Sequence, residues 1–203
     1  HGFRAHARWW SFIVPYFVER FRVVAFDFSG MGDSGNRDQY TEENYTCDLL
    51  AVIDAAGFDR PVVVGHSFGG GRVLQACAEH PERVGRAIIL DSHLQLHDGE
   101  PRIRSSELRP KKTYPTYEAA RSRFRLIPAD NRAAPYIINY IAEHSIKRVD
   151  DGYTWKFDDT QPRLVVHHNV ASMLKRIVTP VSYVYGDHSI IVPHEHAAEI
   201  VAH

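Results

Sequence analysis

The run Gly65-His66-Ser67-Phe68-Gly69 constrains this chain more than any other stretch of it. Ahead of it, Pro61-Val62-Val63-Val64 is short, apolar and β-branched, which predicts a buried strand. Behind it, Gly70 to His80 has helical character and meets Pro81, which predicts a helix ending there. A serine placed between that strand and that helix must sit on a tight, strained turn. Larger neighbours would collide across such a turn, and the flanking glycines remove the collision. The serine hydroxyl is then thrust outward. The amide of Phe68 lies at the positive end of a helix, where it can donate to developing negative charge. Ser67 therefore reads as a candidate nucleophile rather than as a serine capping a glycine-rich helix.

The same alternation runs along the chain. Strands are predicted at 22–28, 86–91 and 181–186, and a helix at 40–57 opened by Thr41 with Asn44 three residues on. Apolar strands separated by helices predict an α/β fold: a three-layer, doubly wound, mostly parallel sheet with helices on both faces. The rhythm breaks between 93 and 175, where charge and aromatics (Tyr114, Tyr117, Phe124, Tyr136, Tyr140, Trp155, Phe157) are concentrated. Helical pieces are predicted at 117–126 and 133–144, and a hairpin over 146–157 centred on Asp151-Gly152. The expected division is a core over 1–92, a mainly helical cap over 93–175, and the rest of the core over 176–203.

Composition removes several function classes. The 203 residues hold 24 Lys+Arg against 25 Asp+Glu, a net charge of -1, without the basic excess that nucleic acid or an anionic membrane surface requires. Ten Phe, ten Tyr and three Trp supply too much apolar surface for disorder. Two cysteines, Cys47 and Cys77, make no disulfide scaffold, and with no signal or membrane-spanning run visible a cytoplasmic setting is expected.

Three patterns are decoys. Gly30-Met31-Gly32-Asp33-Ser34-Gly35 matches a dinucleotide fingerprint, but a polar loop follows the third glycine where a helix should hold the pyrophosphate. His194-Glu195-His196 follows Pro193 at a helix start, where residues two apart face different ways, so a solvated helix end is expected. His167-His168 reads the same way. Neither cofactor nor metal is expected. Arg102, Arg104, Arg109, Lys111 and Lys112 read as a solvated basic face in preference to an anion site.

Taken in order, these motifs resemble the α/β-hydrolase fold superfamily over nearly the whole chain. His1-Gly2-Phe3 is similar to the family's His-Gly-x turn after its third strand, which implies the Phe3 amide as the second oxyanion donor beside that of Phe68. The segment 27–35 is similar to the D-x-x-G-x-G-x-S run after the fourth strand, and 65–69 to the nucleophile elbow, with His66 helping to shape the site. The resemblance implies the order serine, acid, histidine. Aligning Gly186 and Ile191-Val192-Pro193 puts Ser189 in the usual acid slot, with Asp187 two residues early. Asp91, at the tip of the strand after the elbow helix, matches a relocated acid and is favoured over Asp187, although an aspartate there can also simply cap a turn. The resemblance puts the histidine past His203, so His188, His194, His196 and His203 are not expected to be the base. It also implies three strands before His1 and one after Val201, and inactivity of residues 1–203 alone on p-nitrophenyl acetate.

The activity so implied is a serine hydrolase of the carboxylic-ester kind, with carbon–carbon hydrolases and lactonases as neighbouring possibilities. Its substrate would be a small molecule of apolar or aromatic character. The competing expectation is a non-catalytic homologue that binds or scaffolds.

Overall fold

The structure is a computed structural model and describes residues 1–97, 112–126, 133–159 and 170–203. Arg102, Arg104, Arg109, Lys111 and His167-His168 lie outside the described residues. In chain order the elements are α1 (Glu42–Ala55), β1 (Val62–His66), α2 (Phe68–Glu79), β2 (Arg86–Leu90), α3 (Tyr117–Arg121), α4 (Pro135–His144), β3 (Ile146–Val149), β4 (Gly152–Trp155), α5 (Ala171–Leu174), β5 (Val181–Val184) and α6 (His194–Ala202). Short 3-10 helices at Ala7–Phe12 and Val14–Tyr16 precede them. Two compact units result: His1–Phe3 with Gln39–Ser106 and Pro162–His203, and Arg4–Asp38 with Glu107–Gln161. Among the described residues no helix is long and apolar enough to cross a membrane.

The first unit holds a parallel sheet in the order β1-β2-β5. Its α1 begins at a reciprocal cap, in which the Thr41 hydroxyl accepts from the Asn44 amide and the Asn44 side chain accepts from the Thr41 amide. Such a cap stabilises a helix by about 1 kcal/mol. The crossover β1–α2–β2 returns α2 across the sheet, and Val73, Leu74, Ala76 and Cys77 of α2 are buried with Val63, Ala87 and Ile89. Burying one such aliphatic side chain contributes about 1.5–3 kcal/mol. Continuous apolar strands predict burial on both faces, and β1 departs from that. Its residues alternate, with Val62 53% and Val64 43% exposed, because α2 packs against one face of β1 and these two side chains belong to the other.

The second unit contains the antiparallel pair β3–β4. The hairpin forms where the sequence predicts it, but its loop is Asp150-Asp151, and Gly152 already pairs with Val149. Gly152 has φ 132°, and a Cβ there would lie 2.2 Å from the Tyr114 carbonyl oxygen, so only glycine fits. Aromatic side chains pack on one another around it: Tyr114 and Phe124 each meet Trp155, and Tyr117 meets Tyr153. Lys112, expected on a solvated face, lies over the Tyr114 ring at 5.4 Å.

The expected strand at 22–28 is not formed. This segment is extended but joins no β-ladder among the described residues, and Val23 and Val24 stay exposed. A strand is completed by its neighbour, and apolar, β-branched sequence alone does not supply one. The 27–35 run that follows is a closed turn. Asp27 accepts from the amides of Ala7 (2.5 Å) and Asp33 (2.8 Å), and the Ser34 hydroxyl donates to the Asp27 carbonyl at 2.6 Å. Gly35 opens no helix, so the glycines shape a turn.

Candidate active site

Ser67 joins β1 to α2 with φ 51° and ψ -117°, a left-handed conformation that costs a non-glycine residue about 1–3 kcal/mol. The glycines around it are sterically required. A Cβ on Gly65 would stand 2.6 Å from the Gly69 carbonyl oxygen, and one on Gly69 2.7 Å from the His1 carbonyl oxygen. Ser67 occupies the N-cap of α2, yet its side chain makes no cap hydrogen bond. Its backbone, in contrast, is fully engaged. The amide donates to Leu90 O at 2.9 Å, and the carbonyl accepts from the Gly70 amide at 3.0 Å and the Ser92 hydroxyl at 2.8 Å.

Phe68 is the first residue of α2, so its amide lies at the helix's positive end. Its ring is held by Tyr45 (centroids 4.9 Å apart), by Phe3 (5.7 Å) and by the Arg72 guanidinium (5.4 Å). His1-Gly2-Phe3 is fastened to the same turn: the Gly69 amide donates to His1 O at 3.1 Å. A Cβ on Gly2 would lie 3.6 Å from the Ser67 Cβ and 3.3 Å from His66 Nδ1. The backbone at Gly2 therefore lies on one side of the serine, and Phe68 follows it in the chain on the other. His1 is buried and its Nδ1–H donates to the Gly2 carbonyl at 2.8 Å. Burial pushes the His66 imidazole below its ordinary 6.5, while the Asp91 charge works the other way.

The two candidate acids sit differently. Asp91 immediately follows β2 with φ 48°, its amide donating to Val184 O at 2.7 Å and its carboxylate receiving the Gly186 amide at 3.4 Å. Asp187 is exposed in the turn that closes from Ser189 N to Gly186 O. Ser189 itself accepts the amides of Ile191 (3.1 Å) and Val192 (3.0 Å), so its hydroxyl is spent on holding the turn. The histidines nearby have other engagements. His194 meets the Tyr185 hydroxyl at 2.7 Å, His196 stacks on His93 at 4.5 Å, and Glu199 pairs with His97. His194 and His196 thus serve different neighbours, and no metal-holding group of three or more such residues occurs among the described residues.

A family model described as the alpha/beta hydrolase fold matches residues 1–117. The chain belongs to the α/β-hydrolase fold family. This hydrolase-fold chain is 27% identical over 180 residues to a serine hydrolase-like protein of Danio rerio, a match spanning 78% of the chain and 53% of that protein. It is 34% identical over 85 residues to the 2-hydroxymuconate semialdehyde hydrolase of Pseudomonas sp. (strain CF600), covering 41% of the chain and 30% of that enzyme. The chain thus spans about half or less of the length of these curated relatives. Among solved structures, the thioesterase domain from the curacin biosynthetic pathway superimposes with a TM-score of 0.80 at 22% identity, over 100% of this chain and 77% of that one. At that identity the likeness concerns the fold.

Two residues of this hydrolase-fold site carry no motif signal. Ser92 stands two positions beyond β2 and bonds to the elbow 25 residues away, and the Tyr183 hydroxyl donates to the Ser92 carbonyl across 91 residues. Only the packing of β1, β2 and β5 side by side brings them together.

Proposed function

We propose that the whole protein is a serine hydrolase that cleaves an ester or related carbonyl substrate through an acyl-enzyme on Ser67. The observation that carries this reading is Ser67 itself, held at φ 51° and ψ -117° between β1 and α2 with a hydroxyl that makes no cap hydrogen bond. Ser67 Oγ attacks the carbonyl carbon as a histidine base takes its proton. The Phe3 and Phe68 amides hold the oxyanion. The base then returns the proton to the leaving alcohol, and water releases the acyl group by the reverse sequence. Asp91 serves as the acid that orients the base, and residues 93–175 act as the cap that selects an apolar or aromatic substrate. Two free thiols suit a reducing, cytoplasmic setting.

Fluorophosphonate labelling of the whole protein, followed by peptide mass spectrometry, tests this. The expected adduct is on Ser67 alone and disappears in Ser67→Ala together with hydrolysis of p-nitrophenyl esters. An adduct elsewhere, or none, overturns the reading. One observation favours the alternative of a non-catalytic binding homologue: Ser189 spends its hydroxyl on a turn in the slot where the family's acid commonly stands. In that alternative Ser67 stays unlabelled.

A further inference from the structure

The Ser92 hydroxyl lies between two carbonyl groups, 2.8 Å from Ser67 O and 3.3 Å from Leu90 O. Leu90 O also accepts the Ser67 amide, so both ends of the strained residue are tied to the exit of β2. Ser92 is 1% exposed, and its own carbonyl receives the Tyr183 hydroxyl from β5. Space on the α2 side is equally tight. A Cβ on Gly70 would fall 1.9 Å from Ser92 Oγ, so glycine at 70 is what admits the hydroxyl.

A left-handed serine persists only where its surroundings over-determine it. The helix fixes one side of Ser67 through the Gly70 amide, and β2 fixes the other through Leu90 O and Ser92. Without the Ser92 hydroxyl, the carbonyl keeps one donor and the turn can relax toward ordinary helical geometry. The hydroxyl of Ser67 would then swing away from the Phe3 and Phe68 amides. Misplacement of about 1 Å can cost roughly 100-fold in rate.

We infer that Ser92, buttressed by Tyr183, is a positioning residue that holds the Ser67 elbow in its reactive geometry. The inference rests on the nucleophile reading of Ser67, and its test separates the two. In the whole protein, the rate and concentration dependence of Ser67 labelling by a fluorophosphonate are measured for the wild type, Ser92→Ala and Tyr183→Phe. Ser92→Ala is expected to slow the bond-forming step by roughly 10–100-fold while the half-saturating probe concentration stays close to wild type. Tyr183→Phe keeps the ring and loses only the donor, so a smaller slowing in the same step is expected. A purely structural role would lower the thermal midpoint and leave the rate per folded site unchanged, and that result overturns the inference. If Ser92→Ala does not fold, Tyr183→Phe decides: labelling at the wild-type rate overturns it. If the wild type itself is not labelled at Ser67, the nucleophile reading falls instead.

Discussion

The turn after β1 and the turn after β5 leave the same parallel sheet at its carboxyl edge, yet they are built on different terms. The first holds a non-glycine residue at φ 51° with close contacts on every side: Gly65 against Gly69, Gly69 against His1, Gly70 against Ser92. The second is relaxed. Gly186 has room, since a Cβ there would meet nothing nearer than Ser189 N at 3.8 Å, and Asp187 and His188 are exposed. Strain fixed by many contacts marks the place where geometry is needed, and an open turn capped by one hydroxyl marks a place that merely changes direction. The contrast favours Asp91, itself at φ 48° beside the strained turn, as the acid.

The largest expected effect tests the contrast at its root. Gly65→Ala puts a methyl 2.6 Å from a backbone oxygen that cannot step aside, so labelling of Ser67 should be lost, with or without loss of the folded protein. Gly186→Ala meets ordinary van der Waals contact and should retain wild-type labelling and thermal midpoint. If the two variants behave alike, the claim that only the first turn is over-determined is wrong.

The acids come next. Asp91→Asn is expected to lower kcat by something on the order of 10⁴-fold, as loss of the carboxylate that orients a catalytic histidine does elsewhere. Asp187→Asn should change ester hydrolysis less than about threefold, because the carboxylate is exposed and solvent screens its interactions. Steady-state kinetics on a p-nitrophenyl ester rank the two, and the reverse ranking moves the acid to the second turn. A sharper form is the double variant Asp91→Asn with Ser189→Asp. Partial recovery of kcat there would show that the slot after β5 still faces the base.

How much of this was legible in the sequence follows from how local each feature is. The elbow could be read because Gly65 meets the Gly69 backbone only four residues away, although the contact that requires glycine at 69 comes from His1 and is not local. Thr41 with Asn44, and the hairpin near Gly152, were legible for the same reason. The segment 22–28 misled because valine-rich sequence describes a strand's preference and carries no information about its neighbour. Ser92 and Tyr183 had no signal at all. Their hydrogen bonds join three strands that become adjacent only when the sheet is assembled.

Ser189 offers a smaller test. Its hydroxyl accepts two amides, so Ser189→Ala should lower stability by about 1 kcal/mol, seen as a modest drop in urea midpoint, with kcat unchanged. A fall in kcat at constant stability would make the second turn part of the machinery after all.

The mildest effect is in the acid range and belongs to the first turn. Burial holds the folded His66 imidazole below 6.5, so above that pH the ring is neutral in folded and unfolded chains alike and stability does not depend on it. As pH falls through 6.5 the unfolded chain takes up a proton that the folded one refuses, and stability declines until the folded pKa is passed. Thermal midpoints measured from pH 8 to pH 5 should therefore drop more in the wild type than in His66→Gln, which has no proton to gain. Equal slopes would mean that the imidazole beside the nucleophile is solvated enough to charge freely, and the turn after β1 would then be less tightly enclosed than its glycines imply.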